Sequence, residues 1–294
     1  MRMKNLETFY WIATVGSFRQ ASERLHTTQP AISARIAGLE RDLGVTLFDR
    51  SARKVRLTAA GLEVLRYAEK ILALSDEMAM SVGGAEEVTG VLRIGAAETL
   101  VHTWFPKLLV ALSEAYPNLV VEAHVDITPN LREDLVRRDL DIAFLMGPLS
   151  EPSMLNREIC AYPTVWVAGP DYDVGDGVLT KAEAAAHPII TFPRRTRPAM
   201  NVINAFRDPD LPPLKVSFAS SLTAIFHLVE SGFGLAAVPT AVVEKRLSDG
   251  TLRQVSVDVE LDELAFTATY AATPGGPVVE AVADTAARLA AQNL

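Results

Sequence analysis

The sequence predicts an α+β multidomain chain, with a mainly α winged helix-turn-helix at its N-terminus followed by an α/β body of two lobes. Three observations carry that expectation. The first sixty or so residues show a 3.6-residue apolar period interrupted by a tight turn, an unbroken helical stretch follows, and beyond Gly90 strand and helix patterns alternate twice over.

In the head, Leu6, Phe9, Tyr10 and Ala13 fall at the i, i+3, i+4, i+7 spacing of one buried helix face, and Gly16 ends the run. A second helix fits Phe18 to Leu25, burying Ala21 and Leu25. Thr28 is suited to capping a third helix, because its hydroxyl can accept an otherwise orphaned backbone N–H, and Pro30 is tolerated in a first turn. Ile32, Ile36, Leu39 and Leu43 then mark a buried stripe, and Gly44 stops the helix. Two helices joined by a short turn, the second free to present its leading end, form the geometry of a DNA-reading helix-turn-helix. The segment Leu47 to Thr58 reads as two short strands around a basic tip, which would be a wing.

Charge supports a divided chain. Residues 1–84 carry 12 Lys/Arg against 9 Asp/Glu, whereas residues 85–294 carry 16 against 27. Within the head, Arg50, Arg53, Lys54 and Arg56 lie inside seven residues, a density suited to phosphate. From Thr58, a second candidate cap, a proline-free helix runs toward Gly83-Gly84 and places Leu65, Leu72 and Ala79 seven residues apart, near Leu62 and Ala68, which suits pairing with its own copy, the alternative being a helix that lies on its own domain.

Beyond Gly90, strands are expected at Val91 to Ala96, Leu119 to Val125 and Asp141 to Met146, with helices through Leu108 to Leu112 and Leu131 to Arg138. The pattern restarts at Thr164 to Ala168, Ile189 to Phe192, Val216 to Ala219, a helix from Ser221, and Leu235 to Val238; Thr267 to Ala271 and a helix from Val278 close it. Such alternation predicts mainly parallel sheets covered on both faces.

The stretch FYWIATVGSFRQASERLHTTQPAISARIAGLERDLGVTLFDRSARKVRLTAAG resembles, over its whole length, the N-terminal signature of the LysR-type transcription regulators. Its TTQPAIS turn-and-helix and its LFDR and RLTAAG wing exit are combinations specific to that family. The resemblance implies a C-terminal effector domain whose lobes are like type 2 periplasmic solute-binding proteins. It also implies an antiparallel dimer contact through the long helix. The expected division is residues 1–58 as the DNA-binding domain, with the helix-turn-helix near 18–37, and 59–87 as the dimerising linker. Residues 88–294 follow as the effector domain, with 88–161 and 268–294 in one lobe and 162–267 in the other.

Projected at 100° per residue, the buried stripe of the third helix lies opposite Pro30, Ala34, Ala37 and Arg41, with Gln29 and Ser33 on its edge near the leading end and Arg35 toward the flank. Thr28, Gln29, Pro30, Ser33, Ala34 and Arg35 are the candidate DNA contacts, the plain alternative being that Gln29 and Ser33 are solvated polar positions. Gln29 can bond an adenine edge bidentately, and Ser33 can serve base or phosphate. The family usually carries a basic or long polar side chain where this chain has Ala34; the small residue allows close approach and contact with a thymine methyl. Arg50, Arg53, Lys54 and Arg56 are expected on phosphates or in the adjacent minor groove.

For the effector, polar residues following strands are the candidates: Thr99, His102, Thr128, Arg194, Arg195, Thr196, Ser220 and Ser221. Hydroxyls and N–H groups at several helix starts, supplemented by arginines, favour a small, anionic carboxylate. The segments ETLVHTWFP, DITPNL and FPRRTRP resemble the ligand-proximal segments of the family, which more often has glycine in place of Arg195. The plain alternative is that Thr99, Thr128 and Ser221 are helix caps and that the arginines are solvated.

Other functional classes fit less well. His26, His124, His187 and His227 form no metal-ligand spacing, and Cys160 is the one cysteine, so no internal disulfide or thiolate cluster is expected. Gly232-Phe-Gly234-Leu-Ala-Ala237 imitates a dinucleotide fingerprint, but it follows a helix and precedes a strand, the reverse of the required order. No nucleophile elbow or phosphate loop occurs, so an enzyme and a cofactor are not expected. The start Met-Arg-Met-Lys-Asn has no signal-peptide pattern and no stretch is apolar enough to span a bilayer, so the expected location is cytoplasmic and a free solute-binding protein is disfavoured. The expected partners are double-stranded DNA, a small-molecule effector, a second copy in a homodimer or homotetramer, and RNA polymerase, with no membrane.

Overall fold

The structure, a computed structural model, describes residues 2–49, 55–83, 88–151, 153–175, 177–271 and 276–292. Its head comprises α1 (Met3–Val15), α2 (Phe18–Arg24) and α3 (Gln29–Leu43), followed by the long α4 (Ala59–Gly83). Gly16 and Gly44 end α1 and α3 in the left-handed conformation, with φ of 68° and 70°, which a residue bearing Cβ adopts at a cost. Leu6, Phe9, Ile12, Ala21, Ile32, Ile36, Leu39, Leu47 and Phe48 make one core, with Phe48 between Phe9 and Phe18 at ring separations of 5.4 and 5.6 Å. Full burial of each large aliphatic or aromatic side chain contributes roughly 1.5–3 kcal/mol, so this small head rests on a handful of residues.

The expected wing strands reduce, among the described residues, to one antiparallel bridge between Phe48 and Leu57, supported by the Asp49 N–H donating to the Arg56 carbonyl at 2.8 Å. The Thr58 hydroxyl donates to the Thr46 carbonyl and accepts the Gly61 N–H at 2.9 Å, tying the start of α4 to the head.

The body begins with β1 (Gly90–Ala96), α5 (Glu98–Val101), α6 (Phe105–Ala115), β2 (Leu119–Val125), α7 (Thr128–Val136), β3 (Ile142–Met146) and β4 (Met154–Tyr162). It continues through β5 (Thr164–Ala168), α8 (Lys181–Ala186), β6 (Ile189–Thr191), α9 (Arg197–Ala205), β7 (Val216–Phe218), α10 (Leu222–Glu230) and β8 (Leu235–Pro239). The remainder is α11 (Thr240–Ser248), β9 (Arg253–Val255), β10 (Leu264–Ala271) and α12 (Gly276–Ala291).

Two five-stranded sheets result, in the orders β2-β1-β3-β10-β4 and β7-β6-β8-β5-β9. They are mixed, which corrects the expectation of mainly parallel sheets: β10 runs antiparallel to β3 and β4, and β5 antiparallel to β8 and β9. A strand that returns from another lobe or arrives by a direct crossing needs no helical crossover, so its direction is free. Every residue of β3 and β8 is buried, because helices cover both faces of these central strands.

The chain passes between lobes twice, at Pro163 between β4 and β5 and again between β9 and β10. The second passage lies before Leu264, so residues 264–267 belong to the first sheet and not, as expected, to the second lobe. The two crossing segments touch, the Thr164 hydroxyl donating to the Asp262 carbonyl at 3.4 Å.

Candidate functional site

Two regions gather the residues singled out by sequence, and each is built by the packing behind it. In the head, α3 buries Ile32, Ile36 and Leu39 and leaves Thr28, Gln29, Pro30, Ser33 and Ala34 exposed, with Ala37 and Arg41 further along the same outward side. The Thr28 hydroxyl caps the helix by accepting the Ala31 N–H at 3.4 Å. Between α2 and α3 the chain turns at His26, whose φ is 46°.

Arg35 differs from its neighbours. It is half-buried, and its guanidinium donates to the Thr8 hydroxyl on α1 at 3.3 Å, which makes it a brace between α1 and α3. Of the basic cluster, Arg56 is exposed, while Arg50, Arg53 and Lys54 lie outside the described residues.

The long helix divides its apolar residues between the head and solvent. Val64, Leu65 and Ala68 turn toward the head core, whereas Leu62, Tyr67, Ile71, Leu74 and Met78 are exposed; the side chain of Ala79 lies outside the described residues. Of the two leucines spaced seven apart, Leu65 packs on the head core and Leu72 is half-buried outside it.

In the body, a cavity of about 290 Å³ opens between the lobes. The first lobe supplies Glu98, Thr99, Asp126, Thr128, Met146 and Phe266 to its wall, and the second supplies Phe192, Thr196, Ser220 and Ser221. Among the described residues two hydrogen bonds span the lobes: the Leu222 N–H donates to Glu98 Oε2 at 2.8 Å, and Arg197 Nη1 donates to the Gly147 carbonyl at 3.2 Å.

Five of the eight sequence candidates line this cavity. Thr99 is buried and its hydroxyl has no hydrogen-bond partner among the described residues. Thr128 accepts the Met146 N–H at 3.1 Å, Thr196 donates to the Pro193 carbonyl at 2.7 Å, and Ser221 caps α10 by accepting the Ala224 N–H at 3.1 Å. Capping therefore explains Ser221 but neither Thr99 nor Thr128, since α5 and α7 begin behind Ala97 and Ile127 with no side-chain cap.

Three candidates stand elsewhere. His102 is exposed with Nε2 3.8 Å from Glu98 Oε1, Arg194 lies over the Phe218 ring at 4.2 Å, and Arg195 is exposed; none lines the cavity. Sequence reasoning missed Glu98 and Asp126. Their signal is present, since each stands one or two residues from a candidate threonine, but an expectation of anion binding directs attention to arginines.

Among the described residues no group of three His, Cys, Asp or Glu side chains is placed to hold a metal ion. None of the described helices is long and apolar enough to cross a membrane.

The family profile described as "LysR substrate binding domain" matches residues 85–291, and the one described as "Bacterial regulatory helix-turn-helix protein, lysR family" matches residues 3–62. The chain belongs to the LysR family. This LysR-type protein is thus a DNA-binding transcription regulator with an effector-binding domain, and the family is one of regulators, not enzymes.

Among curated relatives, this LysR-type chain is 25% identical over 269 residues to the HTH-type transcriptional regulator GltR of Bacillus subtilis, covering 92% of this chain and 89% of that one. It is 30% identical over 255 residues to a probable RuBisCO transcriptional regulator of Nostoc sp., covering 84% and 76%. Among solved structures, full-length LysG of Corynebacterium glutamicum with bound effector Arg aligns with a TM-score of 0.65 at 20% identity, covering 99% of each chain. ArgP of Mycobacterium tuberculosis aligns with a TM-score of 0.65 at 23% identity, covering 97% and 96%. At these identities the structural likeness is one of fold.

Proposed function

We propose that this LysR-type regulator reads duplex DNA with the leading end of α3 and takes a small-molecule effector, a carboxylate, in the cavity between its two C-terminal lobes. The observation that carries the reading is the division of α3 into a buried aliphatic side, anchored by Ile32, Ile36 and Leu39, and an exposed end bearing Gln29, Pro30, Ser33 and Ala34. A helix held in that way can enter a major groove without losing its own packing. Arg56, with Arg53 and Lys54, adds phosphate contacts beside it.

The carboxylate reading rests on backbone N–H groups. Thr196 turns its hydroxyl back to the Pro193 carbonyl and leaves the start of α9 without a side-chain cap, so that N-terminus can receive a negative group. Neither Arg194 nor Arg195 supports it, because neither lines the cavity.

The same reading divides the chain into a head at residues 1–58, a linker helix at 59–87 and an effector domain from 88 onward. The exposed stripe Tyr67, Ile71, Leu74 and Met78 on α4 is the surface by which two copies pair, in a homodimer or in a homotetramer of paired dimers. RNA polymerase is the further partner, and the cytoplasm the compartment. Effector binding acts on the lobes: parting them breaks Glu98 to Leu222 and Arg197 to Gly147, and the two touching crossing segments serve as the hinge. Changed lobe orientation then alters the spacing of the two DNA readers.

The test is binding of the full-length protein to duplex DNA from upstream of its own coding sequence, against random duplex competitor, followed by fluorescence anisotropy. A preference for the upstream duplex supports the reading, and equal affinity for both duplexes overturns it. For the effector, a ligand at 100 times its Kd raises stability by about 2.7 kcal/mol, enough to read as a shift in melting temperature.

A further inference from the structure

The ionic character of the cavity is the opposite of what an anion alone would need. Among the described residues that line it, the acidic side chains are Glu98 and Asp126, and no arginine, lysine or histidine joins them. Glu98 turns Oε2 to the Leu222 N–H and keeps Oε1 without a close donor, its nearest basic atom being His102 Nε2 at 3.8 Å. Asp126, which is exposed, accepts the Ile127 N–H at 2.7 Å and Asn130 Nδ2 at 2.9 Å on Oδ1, and among the described residues Oδ2 takes no hydrogen bond. Thr99, only 4% exposed as a residue, lines the same wall, and its hydroxyl takes no hydrogen bond among the described residues. A hydroxyl on a cavity wall with no protein partner is free to bond a ligand atom there.

A plain carboxylate entering here meets two acidic groups on one wall, Glu98 half-buried and Asp126 exposed, and like charges at close range disfavour it. An ammonium group meets two acceptors with free oxygens. Apart from Thr128 and Thr196, whose hydroxyls are bonded to the Met146 N–H and the Pro193 carbonyl, the remaining wall is mostly apolar, formed chiefly by Val125, Ile127, Met146, Phe192, Leu264 and Phe266. Glu98 and Ser221 already accept from the start of α10, and the uncapped starts of α5 and α7 stand beside the Glu98 and Asp126 carboxylates, so an acid group is best received at the start of α9 in the facing lobe, joined by the exposed Ser220 hydroxyl.

Resting on the cleft reading above and deepening it, the geometry points to a zwitterionic effector of the amino-acid class with an uncharged, largely apolar side chain. Its ammonium group lies between Glu98 and Asp126, its acid group lies at the start of α9, and Thr99 completes the ring of polar contacts. Glu98 and Asp126 are then the specificity-determining residues, because they separate an amino acid from the matching acid.

The experiment measures melting temperature and calorimetric affinity on the full-length protein with matched triplets: L-leucine, 4-methylpentanoate and 3-methylbutylamine; L-phenylalanine, 3-phenylpropionate and 2-phenylethylamine. The remaining protein amino acids are included. The expected result is at least one amino acid that binds tenfold or more tightly than its acid and its amine. Asp126→Asn lowers that preference at least tenfold, and Glu98→Gln does the same while its amide oxygen still accepts the Leu222 N–H. A plain acid binding as tightly as its amino acid overturns the inference, as does an unchanged preference in Asp126→Asn, or the absence of any response across all the amino acids. Ser220→Trp separates this failure from failure of the cleft reading. This exposed substitution on the rim fills the cavity, so a ligand of any class that binds it undiminished removes the cleft itself. If Ser220→Trp abolishes binding of a plain acid, the cleft stands and only the ammonium site falls.

Discussion

Arg24, on the helix-turn-helix, is bonded to Asp141 at the start of β3 in the first lobe. Its Nη2 donates to Asp141 Oδ1, and its Nη1 donates to the Arg138 carbonyl at 2.6 Å. The guanidinium lies 3.8 Å over the Trp11 ring, and the other Asp141 oxygen accepts the Arg93 N–H at 2.8 Å. The head is thereby seated on the effector domain by one arginine reaching 117 residues along the chain. Burial lowers the Arg24 pKa and Asp141 opposes that shift, so the pair is held partly out of water.

The two side chains are 11% and 16% exposed, intermediate between a surface pair and a buried one. Arg24→Ala is therefore expected to cost about 2 kcal/mol, between the values typical of those two cases. A double-mutant cycle with Asp141→Ala, read by urea denaturation, should give a coupling energy of about 1 kcal/mol or more. Additive effects would mean that the contact does not join the two domains in solution.

Substitution on the outward end of α3 should change which DNA is chosen while leaving the fold intact. Gln29→Ala is expected to lose about 1–3 kcal/mol of discrimination at one base pair, the worth of a bidentate contact. Ala34→Arg is expected to alter the preferred sequence in a selection from random duplexes. An identical selected sequence for wild type and Ala34→Arg would remove this position from the reading surface.

Arg56 is exposed beside the wing bridge and is expected to act through charge. Arg56→Ala should weaken binding to all duplexes alike and reduce the slope of log affinity against log salt by roughly 0.9, the value for one phosphate neutralised by one cation. An unchanged slope over a salt titration rules out a phosphate partner for Arg56.

Alkaline pH should unfold the first lobe. Burial pushes the Tyr162 phenol up to about 12 from an ordinary 10.0, against a lowering by the Thr103 hydroxyl. Above pH 10 the unfolded chain gives up this proton while the folded chain keeps it, so stability is complete below pH 10 and falls as pH rises toward 12. A shift of that size corresponds to about 2–3 kcal/mol. Tyr162→Phe is expected to flatten this part of the decline, as followed by circular dichroism in urea from pH 8 to 11. An equally steep decline in the variant would assign it to the other tyrosines whose phenols burial raises, Tyr10, Tyr172 and Tyr270.

Much of the fold is legible in the order of residues alone. A Thr28 cap and a Gly44 stop predict the third helix, and it runs Gln29–Leu43 between them. Apolar runs locate β2 and β5 to the residue. What escapes is weakly patterned: β4 lies at a sheet edge with its middle exposed, so Met154–Tyr162 has little alternation, and β9 is three residues long. The helix α9 is hidden by Arg194, Arg195 and Arg197, which suggest a solvated loop.

The sequence by itself determined where helices and strands lie, which side of α3 is anchored, and the family of the chain, because these follow from local periodicity, caps and an unbroken motif. Tertiary structure decided the rest. Glu98 and Leu222 meet only because two lobes fold toward one another, Arg195 turns away from the cavity it was expected to line, and Arg24 finds Asp141 across a domain seam. Burial and charge pairing between distant segments depend on how separate cores are set against each other, and no local pattern carries that information.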